Sequence, residues 1–455
     1  MHLYDRSQID RNRLLYTDKA IWKLMLPIIC EQFLNSFMGT ADTVMVSKLG
    51  DIAVSSVSLV DSLNNMIVQV FSALAAGATI AVAQYIGKRD REGANSVAQQ
   101  VFIAILAISL ALGALCIAIK EPLLRLIFGS IEPEVMEGAL TYFTITAASY
   151  PFLALSNAGS SFFRASGNSR FPMLVSTLAN VVNLAGNAIA IFVLKWGVAG
   201  AALATLLSRV ANTAVLYIAL RNKEHPVHLR NYFSIRPNFK IIALVLSIGI
   251  PAGIESGMFQ FGKLAVQSTV STLGTEAISA QAIAIVLELF SAYGGCGIGI
   301  GMMTVVGQAI GAHRIEEAKY YTIRCFWFGE LATVVSCLLV FAFAKPLIAF
   351  SGLSEESAAI CWQVFLFIHA CKLFLWAPSF LFGYGMRAAG DVRFSMILST
   401  LSMWLLRVVL SVLLVRVFHV GLIAVWIGMA SDWLMRSICF FARFRSGKWL
   451  KKALV

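Results

Sequence analysis

The sequence predicts an all-α polytopic membrane protein of twelve transmembrane helices, arranged as two homologous six-helix lobes in a parallel repeat. Three observations point there. Apolar runs of spanning length recur twelve times, positive charge collects on alternate loops, and the second half of the chain repeats the first at a spacing of 224 residues. Of 455 residues, 13% are charged and 58% hydrophobic, with a mean hydropathy of +0.78; a soluble domain carries about a quarter charged residues.

A helix of about 20 apolar residues crosses a bilayer. The runs at 22–47 and 53–84 exceed that length, as do those at 241–272 and 277–308, and such excess is taken up by tilt or kink. Between them lie 95–119, 138–163, 172–194 and 196–220; after them come 326–344, 358–386, 394–415 and 417–435. The opening MHLYDRSQIDRNRLLYTDK is polar and charged, without the short apolar core and small-residue cleavage site of a secretory leader. The segment RNKEHPVHLRNYFSIRPNFK (221–240) is basic, holds two prolines and lacks an apolar period. It reads as a flexible cytoplasmic linker between an N-lobe (1–220) and a C-lobe (241–455) that ends in a basic tail. The eight cysteines lie mostly inside apolar runs with no CxxC pair, so they read as small core residues, not a disulfide frame or a metal site.

Charge sets the expected orientation. With the N-terminus cytoplasmic, 26 of the 36 Lys and Arg fall on the cytoplasmic side, six outside (Lys48, Lys120, Arg125, Lys195, Lys345, Arg416) and four within spans. That asymmetry follows the positive-inside rule and places both termini in the cytoplasm. It also accounts for the net charge of +12 without nucleic acid, because basic loops then face an anionic leaflet.

The repeat is visible without gaps from 27–94 against 251–318, with 18 identities in 68 positions. Pro27 meets Pro251, Glu31 meets Glu255, Leu49-Gly50 meets Leu273-Gly274, and Gln84 meets Gln308. Further on, FRASGNSRFPMLVSTL (163–178) meets MRAAGDVRFSMILSTL (386–401), offset by 223. Six helices per lobe give both lobes one orientation, the arrangement of transporters whose halves rock about an axis along the membrane normal. A channel or a membrane scaffold is the blander reading of the same architecture.

VGQAIGAHRIEEA after the eighth run, the duplicated RAxG(N/D)xRF loop and ADTVMVSKLG at the end of the first run together resemble the multidrug and toxic compound extrusion (MATE) family over essentially the full length. The resemblance implies a secondary antiporter of the plasma membrane, with no enzymatic activity and no cofactor. In it, an inward gradient of Na⁺ or H⁺ drives export of an organic, often cationic, drug-like compound by alternating access; a monomer is expected. The alternative is a lipid-linked oligosaccharide flippase of the wider superfamily, which calls for a more cationic central cavity. A membrane-embedded enzyme would need a motif such as HExxH or GxSxG, and neither occurs.

Polar residues at bilayer depth carry the candidate chemistry, because each costs several kcal/mol unless it meets water or a partner. Glu31, Asn35, Met38 and Asp42 form one stripe of the first helix, and Pro27 one turn earlier can loosen the backbone there. The resemblance makes Asp42 the N-lobe carboxylate of cation coupling and Pro27 a helix-bending proline; Pro251 is its repeat mate. Glu31 and Glu255 share a Pro-xxx-Glu setting and serve either transport or lobe packing. Asn180, Asn183 and Asn187 line one face of the fifth helix, where they can orient Asp42, coordinate Na⁺ with it, or simply join helices. The DinF branch of the family has a second aspartate at the position matched by Asn187, and its absence leaves Na⁺ and H⁺ open.

The second helix adds Asp61 and Asn65. In the C-lobe, the NorM branch carries a carboxylate on the tenth helix, but 358–386 holds His369 and Lys372 instead, together with Trp376. Glu255, Lys263, Gln281 and Glu288 complete the candidate cavity residues, with Lys263 and Lys372 as cations able to neutralise the two glutamates. Arg209, Arg407 and Asp432 read as structural pairs or snorkelling residues.

Overall fold

The computed structural model describes residues 4–5, 7, 9–10, 13–129, 132–229, 236–452 and 454, and among these all regular structure is helical. Ten helical segments are long and apolar enough to cross a membrane. They are α2 (Asp51–Gly87), α3 (Arg91–Ala118), α7 (Arg170–Ala188) with its π-helical extension Ile189–Val193, α8 (Gly197–Ala219), α9 (Phe239–Val270), α10 (Thr275–Gly311), α11 (Ile315–Phe350), α12 (Glu355–Ala388), the composite of α13 (Val392–Ser402), a π-helical stretch Met403–Val409 and α14 (Leu410–Arg416), and α15 (Ile423–Arg445). The 30-residue α1 (Asp18–Ser47) and the successive α5 (Pro133–Ala148) and α6 (Tyr150–Ala165) complete twelve passes. A short α4 (Lys120–Phe128) precedes α5.

The sequence repeat is a backbone repeat. Gly50 and Gly274, at the starts of α2 and α10, have φ of 96° and 98°, a region closed to side chains with a Cβ, so the shared Leu-Gly marks the left-handed residue that reverses the chain. Gly167 and Gly390, in the duplicated loop after α6 and α12, have φ of 84° and 87°.

The chain packs as two compact units, Cys30–Gly253 and Met1–Ile29 with Ile254–Val455. The division falls inside α1 and α9, two to three residues beyond Pro27 and Pro251, and not in the 221–240 segment. The first part of α1 is held by C-terminal helices. A Cβ on Gly301 of α10 would lie 2.8 Å from Met25 Cγ, and one on Gly297 would lie 2.5 Å from Ile29 Cγ1, so both glycines are the room into which α1 fits. Ahead of α1, Tyr16 donates its hydroxyl to Gln308 at 2.8 Å and its backbone N–H to the Tyr321 hydroxyl at 2.8 Å. Burial pushes the Tyr16 phenol up to about 12, so it stays a neutral donor at any physiological pH. Asp18 pairs with Arg324. In the other unit, the first part of α9 lies on α2, where a Cβ on Gly77 would meet Gly249 N at 3.1 Å. Gly77 and Gly301 are repeat mates, as are Met25 and Gly249, so the two units receive exchanged helix ends through the same contact.

The connector was expected to be flexible, but its described residues are tied to α3. His228 N–H donates to Asn95 Oδ1 at 2.8 Å, Asn238 N–H to Gln100 Oε1 at 2.7 Å, and Gln100 Nε2 to the Arg236 carbonyl at 3.0 Å. Val227 and Leu229 are fully buried. Two side-chain amides thus satisfy backbone groups of a segment whose described residues ahead of α9 are not helical; residues 230–235 lie outside the described set.

Candidate functional sites in the two units

In the N-terminal unit, the α1 stripe faces α7. Asn187 donates to Asp42 Oδ1 at 2.9 Å. The Asn183 amide reaches both Asp42 oxygens, at 2.7 and 2.9 Å; its nitrogen belongs there, because an amide oxygen at that distance would repel a carboxylate. The other end of the Asn183 amide faces the Thr205 hydroxyl on α8, 3.3 Å away. Asn187 is 2% exposed and its Oδ1 has no hydrogen-bond partner, an orphaned acceptor beside a carboxylate. Two turns along the stripe, Asn35 Oδ1 accepts from Asn180 at 2.8 Å and Ser176 at 3.1 Å. The structure therefore brings Asp42, Asn183 and Asn187 into one constellation and sets Asn35 beside it on the same helix pair.

Glu31 stands apart from this set. It forms a 2.6 Å ion pair with Arg164 at the end of α6. Asp61 is also separately held, accepting from Tyr142 at 3.2 Å and Asn64 at 3.4 Å, while Asn65 is exposed.

In the C-terminal unit, Glu255 pairs with Arg387 at 2.6 Å, and Arg387 also donates to Ser395 at 3.1 Å. Lys263 is thus not the partner of Glu255. Arg164 and Arg387 are the arginines of the duplicated RAxG loop, so each Pro-xxx-Glu pairs with its own RAxG. Sequence inspection missed this, although both halves of each pair sit in repeated motifs. The expected partnership of Lys372 with Glu288 is present at 2.7 Å, with further bonds from Lys372 to Ser291 Oγ at 2.7 Å and the Glu288 carbonyl at 2.8 Å. Lys372 is fully buried, and its ammonium lies 6.0 Å from the Trp376 ring centroid and 5.9 Å from that of Trp433. Trp376 itself is 3% exposed and stacks on Phe380.

His369 packs on Phe365 with ring centroids 4.0 Å apart, and its Nδ1 lies 2.9 Å from the Phe365 carbonyl. Gln281 accepts from the Trp426 indole at 2.7 Å. Arg407 and Asp432, read from sequence as structural, form a largely buried group with Arg436: Asp432 pairs with Arg436 at 2.8 Å and stands 4.0 Å from Arg407. The i, i+4 spacing of Asp432 and Arg436 was readable in the sequence, but the approach of Arg407 depends on the π-helical turn that carries it.

Comparison with known proteins gives a consistent picture. The MatE family model matches residues 27–189 and 251–413. A probable multidrug resistance protein NorM of Thermotoga maritima is 30% identical over 96% of this chain and 94% of its own. The uncharacterized transporter YisQ of Bacillus subtilis is 27% identical over 96% of each chain. The multidrug and toxin extrusion protein 1 of Oryctolagus cuniculus is 21% identical, covering 95% of this chain and 76% of that protein. Among solved structures, a MOP superfamily transporter from Pyrococcus furiosus superposes with a TM-score of 0.88 at 22% identity, covering 96% of this chain and 97% of the other. An outward-facing multidrug resistance MATE family transporter gives 0.87 at 22% identity with the same coverage. At that identity the structures establish the fold.

Proposed function

The chain belongs to the MatE family, and from that premise we propose that it is a secondary active exporter of small organic compounds, driven by Na⁺ or H⁺ through Asp42, Asn183 and Asn187. The single observation that carries the reading is the Asp42 constellation: a carboxylate held by two asparagine amides, with the buried Asn187 Oδ1 left unpartnered. Such a site has an acid to protonate and several oxygen ligands for a hard monovalent cation. The names of the Thermotoga and rabbit relatives support drugs or toxins as cargo.

Coupling follows from charge. Binding of either cation cancels the formal charge of Asp42, so a substrate cation that competes for the same field loses its attraction and leaves. The reciprocal effect of substrate on the coupling ion is required by linkage. Alternating access of the two lobes, with both termini cytoplasmic, completes the proposal; Pro27 and Pro251 are the places where α1 and α9 can bend, because a proline inside a helix removes one backbone hydrogen bond.

The test is dye or drug uptake into proteoliposomes with one imposed gradient at a time. An outwardly directed pull of Na⁺ alone, or of H⁺ alone, is expected to drive transport by the intact protein and not by Asp42→Asn. Wild-type rates in Asp42→Asn, at normal reconstitution, would make Asp42 structural and shift attention to Glu31 and Glu255.

A further inference from the structure

The two units share a scaffold but not a charge pattern. Asp42 and the α7 asparagines of the N-terminal unit have apolar counterparts in the C-terminal unit: Val266 for Asp42 and, at an offset of 223, Met403, Leu406 and Leu410 for Asn180, Asn183 and Asn187. In place of an acidic site, the C-terminal unit gathers cations. Around the Phe259 ring, the Lys263 ammonium lies 5.1 Å from the centroid and the guanidinium carbons of Arg407 and Arg436 lie at 5.3 and 5.8 Å.

The anions near these three are fewer. Asp432, fully buried, is engaged by Arg436 at 2.8 Å and reaches Arg407 only at 4.0 Å. Glu288 is engaged by Lys372 at 2.7 Å. With Lys372 counted, four cations face two carboxylates. Lys263 has no ion pair among the described residues, and its side chain is exposed. Arg407 turns its other nitrogen to Met429 Sδ at 2.7 Å, a weak acceptor. Beside the group, the Trp433 indole N–H is buried, at 1% residue exposure, and has no acceptor.

An ammonium within a membrane span costs several kcal/mol unless it meets water, a counter-ion or a ligand. Three cations around one ring also repel one another, and an incoming anion relieves that repulsion. We propose that Lys263 and Arg407, over Phe259, form a subsite for an anionic group of the transported molecule: a carboxylate, sulfonate or phosphate on an amphipathic organic compound. This deepens the export reading and rests on it for the word transported, and it departs from the cationic cargo that the family resemblance implies. A zwitterion or an organic anion fits the C-terminal unit better than a simple cation does.

The test uses two dyes that share one ring system. Rhodamine B carries a free carboxylate, and its ethyl ester lacks it. Binding of each to the full-length protein in phosphatidylcholine nanodiscs is measured without any gradient, so the result does not depend on coupling. The intact protein is expected to bind rhodamine B about tenfold more tightly than the ester, the size of one charge-assisted contact. Lys263→Gln is expected to bring the two affinities together, and Lys263→Arg to restore the preference. Lys263 is exposed and has no ion pair among the described residues, so neither substitution strips a buried carboxylate there of an ion-pair partner.

Adding phosphatidylglycerol separates two sources of the anion. If it displaces rhodamine B, a lipid headgroup shares the subsite; if not, the subsite serves soluble anions, and either result is compatible with the proposal. Equal affinity of the intact protein for acid and ester, an unchanged preference in Lys263→Gln, or no binding of either dye overturns it. If the preference is present but no gradient moves either dye, the subsite stands and the export reading fails.

Discussion

Glu31 and Glu255 illustrate what a residue's sequence setting reveals and what it conceals. Both follow a helix-breaking proline by four positions, both are under 10% exposed, and both are neutralised by an arginine more than 130 residues away. Removing one member of a buried pair strands the other charge, at about 3–5 kcal/mol; with the arginine side chains 16% and 21% exposed, the lower end applies. Arg387→Ala is therefore expected to lower thermal stability by about 3 kcal/mol, and Glu255→Ala combined with Arg387→Ala to recover part of the loss. Additive losses in melting curves of the purified protein would show that the pair is not coupled. The glutamates and the RAxG arginines were each legible as repeated motifs. Their pairing was not, since no local spacing joins residues on α1 and α6 or on α9 and α12. Asp42 is the opposite case: the 31–35–38–42 stripe and the 180–183–187 stripe each have a helical period, so their faces could be read, and α1 and α7 place them together.

At the scale of elements, the prolines and glycines of the repeat define where helix ends are exchanged. Gly77 receives α9 with a virtual Cβ 3.1 and 3.2 Å from the Gly249 backbone, which has no rotamer with which to yield. Gly77→Val is expected to cost about 1–3 kcal/mol through overpacking, whereas Gly257→Ala, with nothing within 4 Å of its new methyl, should leave stability unchanged or slightly raised. Equal melting temperatures for the two variants would contradict close packing of α9 on α2. In the sequence Gly77 has a repeat mate in Gly301. The sequence did not show that the first part of α1 packs with the C-terminal helices and the first part of α9 with α2, because apolar periodicity says which residues are buried and not against what. The connector is a second such case. Its polar, proline-containing composition suggested freedom, while the amides that tie it down lie more than 130 residues earlier, on α3.

Across the whole molecule, duplication preserved backbone and altered chemistry. Asn64 and Ser149 in the first half correspond to Glu288 and Lys372 in the second, and Ser208 and Asn212 to Asp432 and Arg436. Neutral hydrogen-bonding positions in one unit are thus ion pairs in the other, on helices that follow the same path. Parallel repeats of this kind need one membrane orientation for both halves, and the sequence reading of basic residues argues for one: 26 Lys and Arg in the loops and helix ends of one side against six on the other. On that arrangement the termini, the connector and the two RAxG loops share the cytoplasmic side, while Ser351, exposed after α11, lies on the opposite face. Cysteines introduced at Ser446 and Ser351 should therefore respond oppositely to a membrane-impermeant maleimide. Ser351→Cys is expected to label in intact cells, and Ser446→Cys only after permeabilisation, each scored against the unsubstituted protein because Cys30 is itself exposed. The reverse pattern would invert the topology. The charge argument would then have failed while the fold stood, since two parallel lobes can be inserted either way up and only the flanking basic residues choose between them.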